Sequence, residues 1–415
     1  MSAEDLFAGF DAPVERIDFT PTRAAGLARL DAFVTRAGRH YAGQRNYDFG
    51  PERRNNVSAL SPWIRHRLIS EEEVLRAVLA RHSPSGSEKF VQEVFWRSYF
   101  KGWLEQRPSV WASYEKGLAQ TLNGLAQDDG LESRYRAAIE GRTGIDGFDA
   151  WARELVETGY LHNHARMWFA SIWIFTLRLP WQLGADFFLR HLMDGDPASN
   201  TLSWRWVAGL HTKGKTYLAR VSNIAKYTEE RFRPQYQLAG VAEPLIEATE
   251  HALRPIPPAD PMPEGAFLLL VTEEDCQPEV CLTRPPAGVL GLLATERRGS
   301  QKVGSCAQDF ARGAVTDALG RQGTDQAVQA SLDWAAPIIE AAQAVGASTV
   351  LTAYAPVGPV AARLAQARPA LQDAGITLHQ LRRPYDDLVW PHATKGFFAL
   401  KQKIPKVLQG LGLAG

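Results

Sequence analysis

Arg166, Asp194, Asp196 and Asn200 lie in one stretch, residues 162–206, that reads HNHARMWFASIWIFTLRLPWQLGADFFLRHLMDGDPASNTLSWRW. Ionised and amide side chains are set there among a high density of indoles. The inner run WFASIWIFTL carries Trp, Phe, Ile and Leu on every face of a helix, so a buried helix is expected. It is too short to span a bilayer. Charged groups are kept in such surroundings when they pair or hold a ligand, and a buried polar cofactor is the simplest reason for these. A second group falls in KFVQEVFWRSYF, residues 89–100, where Glu93, Trp96, Arg97 and Phe100 stand at helical neighbour spacings. Glu93 and Arg97 form an i,i+4 pair, ordinarily a surface feature worth little. Their neighbours Phe90, Phe95, Trp96 and Tyr99 point instead to a cleft. The turn Ser58-Ala59-Leu60-Ser61-Pro62 offers two hydroxyls and backbone N–H groups at a helix start. That suits phosphate oxygens, but for this turn in isolation a serine-rich helix cap is the preferred reading.

The elements that must position these residues divide along the chain. Residues 1–235 read as mainly helical, with helical periodicity in RAAGLARLDAFVTRAG, SEEEVLRAVLARH and SEKFVQEVFWRSYFKGWLEQ. Ser70 stands before three acids as a helix cap. Prolines recur from Pro234 to Pro263, marking a linker over 236–265 with room for one short helix in PLIEATEHAL. From 266 to 415 short apolar strands, AFLLLVTEED, AGVLGLLAT, STVLTAYAP and ITLHQLR, alternate with helical stretches. Such alternation predicts a small parallel sheet covered on both faces, a Rossmann-like α/β domain. Its glycines in GVLGLLATERRG have the wrong spacing for a dinucleotide fingerprint, and no nucleotide is assigned there.

Composition narrows the partners. At 415 residues, 45% hydrophobic and 22% charged, the chain has room for two or three soluble domains. Three cysteines, Cys276, Cys281 and Cys306, at unconvincing spacing argue against a disulfide framework and against a zinc site, and no metal is assigned. The N-terminus lacks the basic start and apolar core of a signal peptide, so a cytoplasmic location without membrane association is expected. The formal net charge is zero. Residues 201–233 nonetheless carry seven basic side chains (Arg205, Lys213, Lys215, Arg220, Lys226, Arg231 and Arg233) against Glu229 and Glu230. That suits a local phosphate-binding patch, and it suits a solvated surface as well.

The segments HNHARMWFAS and WQLGADFFLRHLMDGDPASNTLSWRW resemble the flavin-binding core of the photolyase/cryptochrome family, most nearly its cyclobutane pyrimidine dimer photolyases. The resemblance runs upstream through YAGQRN, VSALSPWI, EVFWRSYF and GRTGIDGFDAWARELVETGYLHN, and covers roughly residues 20–233. It implies an all-helical FAD-binding domain followed here by the α/β domain. In the family that domain normally comes first, as an antenna, so the chain resembles a reordered member whose antenna chromophore stays open. The implied cofactor residues are Tyr41, Ser58, Leu60, Ser61, Phe90, Glu93, Arg97, Asn163, Arg166, Asp194, Asp196 and Asn200. Val57 departs from a position that often carries a hydroxyl. The implied lesion pocket takes Glu93, Trp96, Asn163, Met167 and Trp206, and the implied electron relay takes Trp204 and Trp181. The outer relay position falls on Asp128, which cannot donate as an aromatic; Tyr135, Trp168 and Trp173 lie nearby or in the buried helix. The resemblance therefore implies light-driven repair of cyclobutane pyrimidine dimers in DNA. The alternative is a cryptochrome-like blue-light sensor without repair activity.

Overall fold

The computed structural model describes residues 16–413. The helical part comprises α1 (Arg23–Val34), α2 (Arg39–Gln44), α3 (Ser61–Arg65), α4 (Glu71–Leu79), α5 (Glu88–Glu105), α6 (Ser109–Leu125) and α7 (Asp129–Ile139). It continues with α8 (Phe148–Thr158), α9 (Asn163–Ser171), α10 (Trp181–His191), α11 (Pro197–Val207) and α12 (Val221–Tyr227). The capping expected at Ser70 is complete: its hydroxyl accepts from the Glu73 N–H while the Glu73 carboxylate reaches back to the Ser70 N–H. The buried run after α9 is not one α-helix, because it passes into a π-helical turn at Ile172–Thr176. The expected short helix in PLIEATEHAL does not form; residues 244–253 run without regular structure, where Arg205 forks onto Glu247.

After that segment come β1 (Leu268–Val271), β2 (Gly288–Gly291), α13 (Ser305–Arg321), α14 (Ala335–Ala344), β3 (Thr349–Ala353), α15 (Pro359–Asp373) and β4 (Thr377–Leu381). The chain closes with α16 (Pro384–Val389), α17 (Phe397–Lys401) and α18 (Ile404–Gly410). The four strands are parallel in the order β2-β1-β3-β4. Strand alternation sends β1 into two cores. Leu268 and Leu270 pack with Ile338 of α14 and Leu364 of α15. Phe267, Leu269 and Val271 pack with Phe310 of α13 and with Phe33, Trp63 and Phe95 of the helical part. The apolar packing thus crosses the proline-rich segment.

Helix α5 is the spine of this contact. Glu93, Arg97, Lys101 and Glu105 follow one another at four-residue intervals, a row that drifts slowly round the helix. At its far end Glu105 accepts from the Tyr354 hydroxyl (2.7 Å) and from the Val357 N–H (2.5 Å), beyond the end of β3. One turn earlier Lys101 Nζ lies 3.5 Å from Asp196 and 3.9 Å from Glu274, which follows β1. Arg65 forks onto Glu274 at 2.9 and 2.6 Å and donates to the Gly195 carbonyl. The crevice at the switch point between β1 and β3, where open α/β sheets bind ligands, is therefore engaged by side chains of α5.

Arg65, Lys101, Asp196 and Glu274 are all at least 95% buried. Removing one partner strands the others without water. Arg65→Met is expected to lower unfolding free energy by about 3–5 kcal/mol in urea titrations. Arg65→Met with Glu274→Leu should recover part of that loss, since it deletes a pair.

Candidate functional site

Asp194 collects the polar side chains that the sequence keeps among indoles. It follows α10 in a tight turn and is buried, with Oδ2 accepting from Arg166 Nη2 at 3.0 Å. Arg166 is fixed in turn by donating Nε to the Leu161 carbonyl and by lying over the Tyr160 ring. Burial alone would raise the Asp194 carboxyl; Arg166 and Arg97, with the Ser61 hydroxyl, hold it below the ordinary carboxylate range. Asp196 caps α11 through the Ser199 N–H at 2.7 Å. It too is held low against burial, by Lys101, Arg65 and Arg97. Four of the expected cofactor residues, Ser61, Arg97, Arg166 and Asp194, thus converge, with Asp196 beside them. Asn200 is buried one turn into α11 and donates its amide to the Ala185 carbonyl.

The turn before α3 is braced from behind. Arg29 donates to the carbonyls of Val57 and Ser58, and Ala59 adopts a left-handed φ of 51°. A left-handed alanine costs energy and persists where its surroundings hold it. Leu60 is buried, and Ser58 and Ser61 remain partly exposed. The helix that follows is a single short piece, Ser61–Arg65. Tyr41 is packed edge-on to Phe90 (5.1 Å), and burial raises its phenol strongly.

The aromatic face of α5 departs from expectation in two ways. Glu93 pairs with Arg45 of the turn after α2 rather than with its i,i+4 neighbour Arg97. Partial burial raises the Glu93 carboxyl, with Arg45 opposing. Trp96 is stacked face to face on Phe397, at 3.7 Å between centroids and 11° between planes. Trp206 stacks on Tyr217 at 5.7 Å, Met167 is partly buried, and Asn163, the first residue of α9, is exposed. Of the seven basic side chains in 201–233, Arg205 is buried on Glu247, Arg231 pairs with Asp48 and Arg233 with Glu230. Lys213, Lys215, Arg220 and Lys226 stay exposed.

Trp204 is buried and its indole N–H has no partner among the described residues. Its ring meets Trp173 edge-on at 6.1 Å, and Trp173 meets Tyr135 at 6.1 Å. Gly184 makes the first contact possible, because a Cβ there would lie 2.2 Å from Trp204. Trp181 instead packs on Tyr114 at 5.7 Å. The aromatic file from Trp204 therefore runs through the π-helical Trp173. Arg45, Arg65, Lys101, Glu274 and Phe397 were missed by sequence reasoning. For Arg65 and Glu274 the signal was charge placed directly beside apolar runs, as in SPWIRHRLIS and LLLVTEED.

Residues 90–237 match the family described as the FAD binding domain of DNA photolyase. The deoxyribodipyrimidine photo-lyase of a Synechococcus strain is 33% identical over 211 residues, 49% of this chain and 40% of the relative. The protein of the same name from a strain of Thermus thermophilus is 33% identical over 241 residues, 55% of this chain and 54% of the relative. The chain thus spans about half the length of the curated relatives it matches. Among solved structures, a bacterial class III photolyase from Agrobacterium tumefaciens is similar at 27% identity and TM-score 0.43, covering 54% of this chain and 47% of that one. A Synechocystis cryptochrome is similar at 25% identity and TM-score 0.42, covering 52% and 45%.

The residues present fit FAD, the cofactor of this domain. Arg97 Nη1 and Asp194 Oδ1 are buried without a hydrogen-bond partner among the described residues, leaving a donor and an acceptor free at the convergence point. Buried polar atoms left unmatched are costly, and a bound polar ring edge would satisfy both. Among the described residues no group of His, Cys, Asp and Glu is arranged to hold a metal ion, and no helix is long and apolar enough to cross a membrane.

Two outcomes follow. Asp194→Asn keeps the shape but gives up the charge facing Arg166 and Arg97, so FAD affinity, followed by flavin absorbance after gel filtration, should fall about tenfold (~1.4 kcal/mol). Burial lowers His162, His191 and His211 to about 4 each. Their folded values lie below the unfolded value of about 6.5, so the folded state binds fewer protons between those limits. Stability is then fully present above about 6.5 and declines as pH falls towards 4. His162 Nδ1 accepts from the His164 N–H at 3.1 Å; His162→Asn keeps a capping acceptor and removes one titration. The slope of urea stability over that window should drop by up to about 1.4 kcal/mol per pH unit.

Proposed function

We propose that this chain is a flavoprotein that carries out light-driven repair of cyclobutane pyrimidine dimers in DNA. The observation that supports the proposal is the convergence of Ser61, Arg97 and Arg166 on the buried Asp194, the last three of which lie inside the segment, residues 90–237, that matches the FAD binding domain of DNA photolyase. When bound, FAD supplies light absorption and the electron that opens the dimer. The protein supplies the setting. Arg97 and Arg166 place positive charge where an anionic ring system would sit, and Asn200, an amide rather than an acid, adds no negative charge beside it. Asn163, Tyr41, Phe90, Ser58 and Leu60 complete the proposed cofactor contacts.

At the substrate face, Glu93 is proposed to hydrogen-bond the extruded dimer, with Trp96, Met167 and Trp206 walling it and Asn163 at its edge. Exposed Lys213, Lys215 and Arg220 would hold backbone phosphates. Trp204 is proposed to refill the cofactor with electrons, with Trp173 and Tyr135 next in the observed file; Trp181 keeps a role only through a contact other than Tyr114.

The decisive measurement is repair of a dimer-containing oligonucleotide under blue or near-ultraviolet light by chemically reduced protein. Glu93→Ala should reduce that repair about tenfold (~1.4 kcal/mol), because the lost hydrogen bond acts at the substrate. Trp204→Phe should block photoreduction of oxidised protein while sparing repair by reduced protein. Lys215→Ala should weaken binding of damaged and undamaged DNA alike and make the salt slope shallower. A second reading, a blue-light sensor, is favoured by one observation: the Trp96 face is covered by Phe397. Absence of repair by reduced parent protein would select it.

A further inference from the structure

The segment Trp390–Lys401 lies antiparallel along α5. Trp390 enters a notch at Gly102, where a Cβ would come within 2.7 Å of the Trp390 Cα. Gln106 Nε2 donates to the Trp390 carbonyl at 2.9 Å, and Arg107 donates to the Thr394 carbonyl at 2.7 Å. Phe397 then covers Trp96 and meets Tyr99 edge-on at 5.7 Å. Lys401 closes the row on Glu88 at 3.0 Å. Residues 390 to 401 therefore descend α5 from Gln106 to Glu88.

The two ends of this segment are held differently. Trp390 is 1% exposed and locked by the glycine notch. Beyond it Lys395, Gly396 and Phe398 are exposed, and nothing crowds Gly396. The Glu88–Lys401 pair is open to solvent, where ion pairs hold weakly. After α17, Gln402 and Lys403 are exposed before Ile404, Val407 and Leu408 anchor α18 in the core. The five-residue α17 thus sits between two exposed joints, Gly396 and Gln402–Lys403, and grips the core through Phe397 and Leu400.

We infer that α17 is a latch, with Phe397 occupying the aromatic face of Trp96 in place of a flat ring from outside. The inference rests on the proposed role of Trp96 as a wall of the substrate pocket. It adds that this chain regulates access to that wall itself. Aromatic rings compete for the same stacking surface, so a planar base binds only after Phe397 withdraws. A latch closed nine-tenths of the time weakens apparent affinity for such a ligand about tenfold.

The test uses the full chain with FAD bound, hydroxyl-radical footprinting of Trp96, and binding and repair of a dimer-containing oligonucleotide. Phe397→Ala should raise Trp96 labelling and tighten binding about tenfold. Phe398→Ala, next door but 77% exposed, should behave as the parent. Lys401→Glu loosens the far end without touching the aromatic core and should move both readouts in the same direction. Adding Glu88→Lys to it should restore closure, which a merely damaged fold would not do. This pair carries the test if Phe397→Ala misfolds. Phe397→Ala uncovers Trp96 even in a rigid fold, so equal Trp96 labelling in parent and Lys401→Glu overturns the latch. Repair by parent and Lys401→Glu at the same rate, with equal labelling, overturns the latch and leaves the repair proposal standing. Increased labelling with no repair by any variant supports the latch and overturns the repair proposal.

Discussion

The four buried groups Arg65, Lys101, Asp196 and Glu274 constrain the rest of the molecule. Two cations are shared between two carboxylates in a place that water does not reach. Such a cluster is held by mutual attraction only while it is complete, since each member is costly to bury alone. Asp196 comes from the turn before α11, Glu274 from the end of β1, and the cations from α3 and α5. The Asp194–Asp196 turn of the helical part and the C-terminal ends of the strands are therefore tied by the same charges. Any movement of the sheet edge changes what balances Asp196.

Helix α5 distributes the consequences because its row of charges drifts round the axis as it rises. Glu93 meets Arg45, Arg97 approaches Asp194 and Asp196, Lys101 bridges to Glu274, and Glu105 reaches the end of β3. The adjoining aromatic row, Trp96, Tyr99, Phe100 and Trp103, is offset from it by one to three residues and faces Phe397 and His211. One helix thus presents a polar stripe to Arg45, the Asp194–Asp196 turn and the strand ends, and an aromatic stripe to Phe397 and His211. The switch-point crevice of the sheet, which an open α/β fold ordinarily offers to a ligand, here accommodates Glu105 and Lys101.

Much of this was legible in the residues taken in order. Apolar runs of helical length marked α1, α4 and α5, and alternating apolar strands and helices marked the parallel sheet, because both follow from local periodicity. Ser70 announced its capping box because the reciprocal partner is three residues away. Arg166, Asp194, Asp196 and Asn200 were conspicuous because charge and amide stand there among tryptophans. The π-helical turn at Ile172–Thr176 was not legible, since it redirects the helix without altering its apolar composition.

Partnership was decided only by tertiary structure. Glu93 has Arg97 one turn away in sequence, yet pairs with Arg45, because the bend after α2 brings that guanidinium to the face where Glu93 points. Trp204 meets Trp173 rather than depending on sequence neighbours, because Gly184 on α10 leaves the space. Phe397 stands 301 residues from Trp96 in the chain and covers its ring all the same. Sequence determined which residues were chemically capable and which local elements would carry them, since those depend on side-chain type and short-range spacing. The fold decided which of them meet, because contacts between distant segments follow from how the elements pack, and no local pattern encodes that.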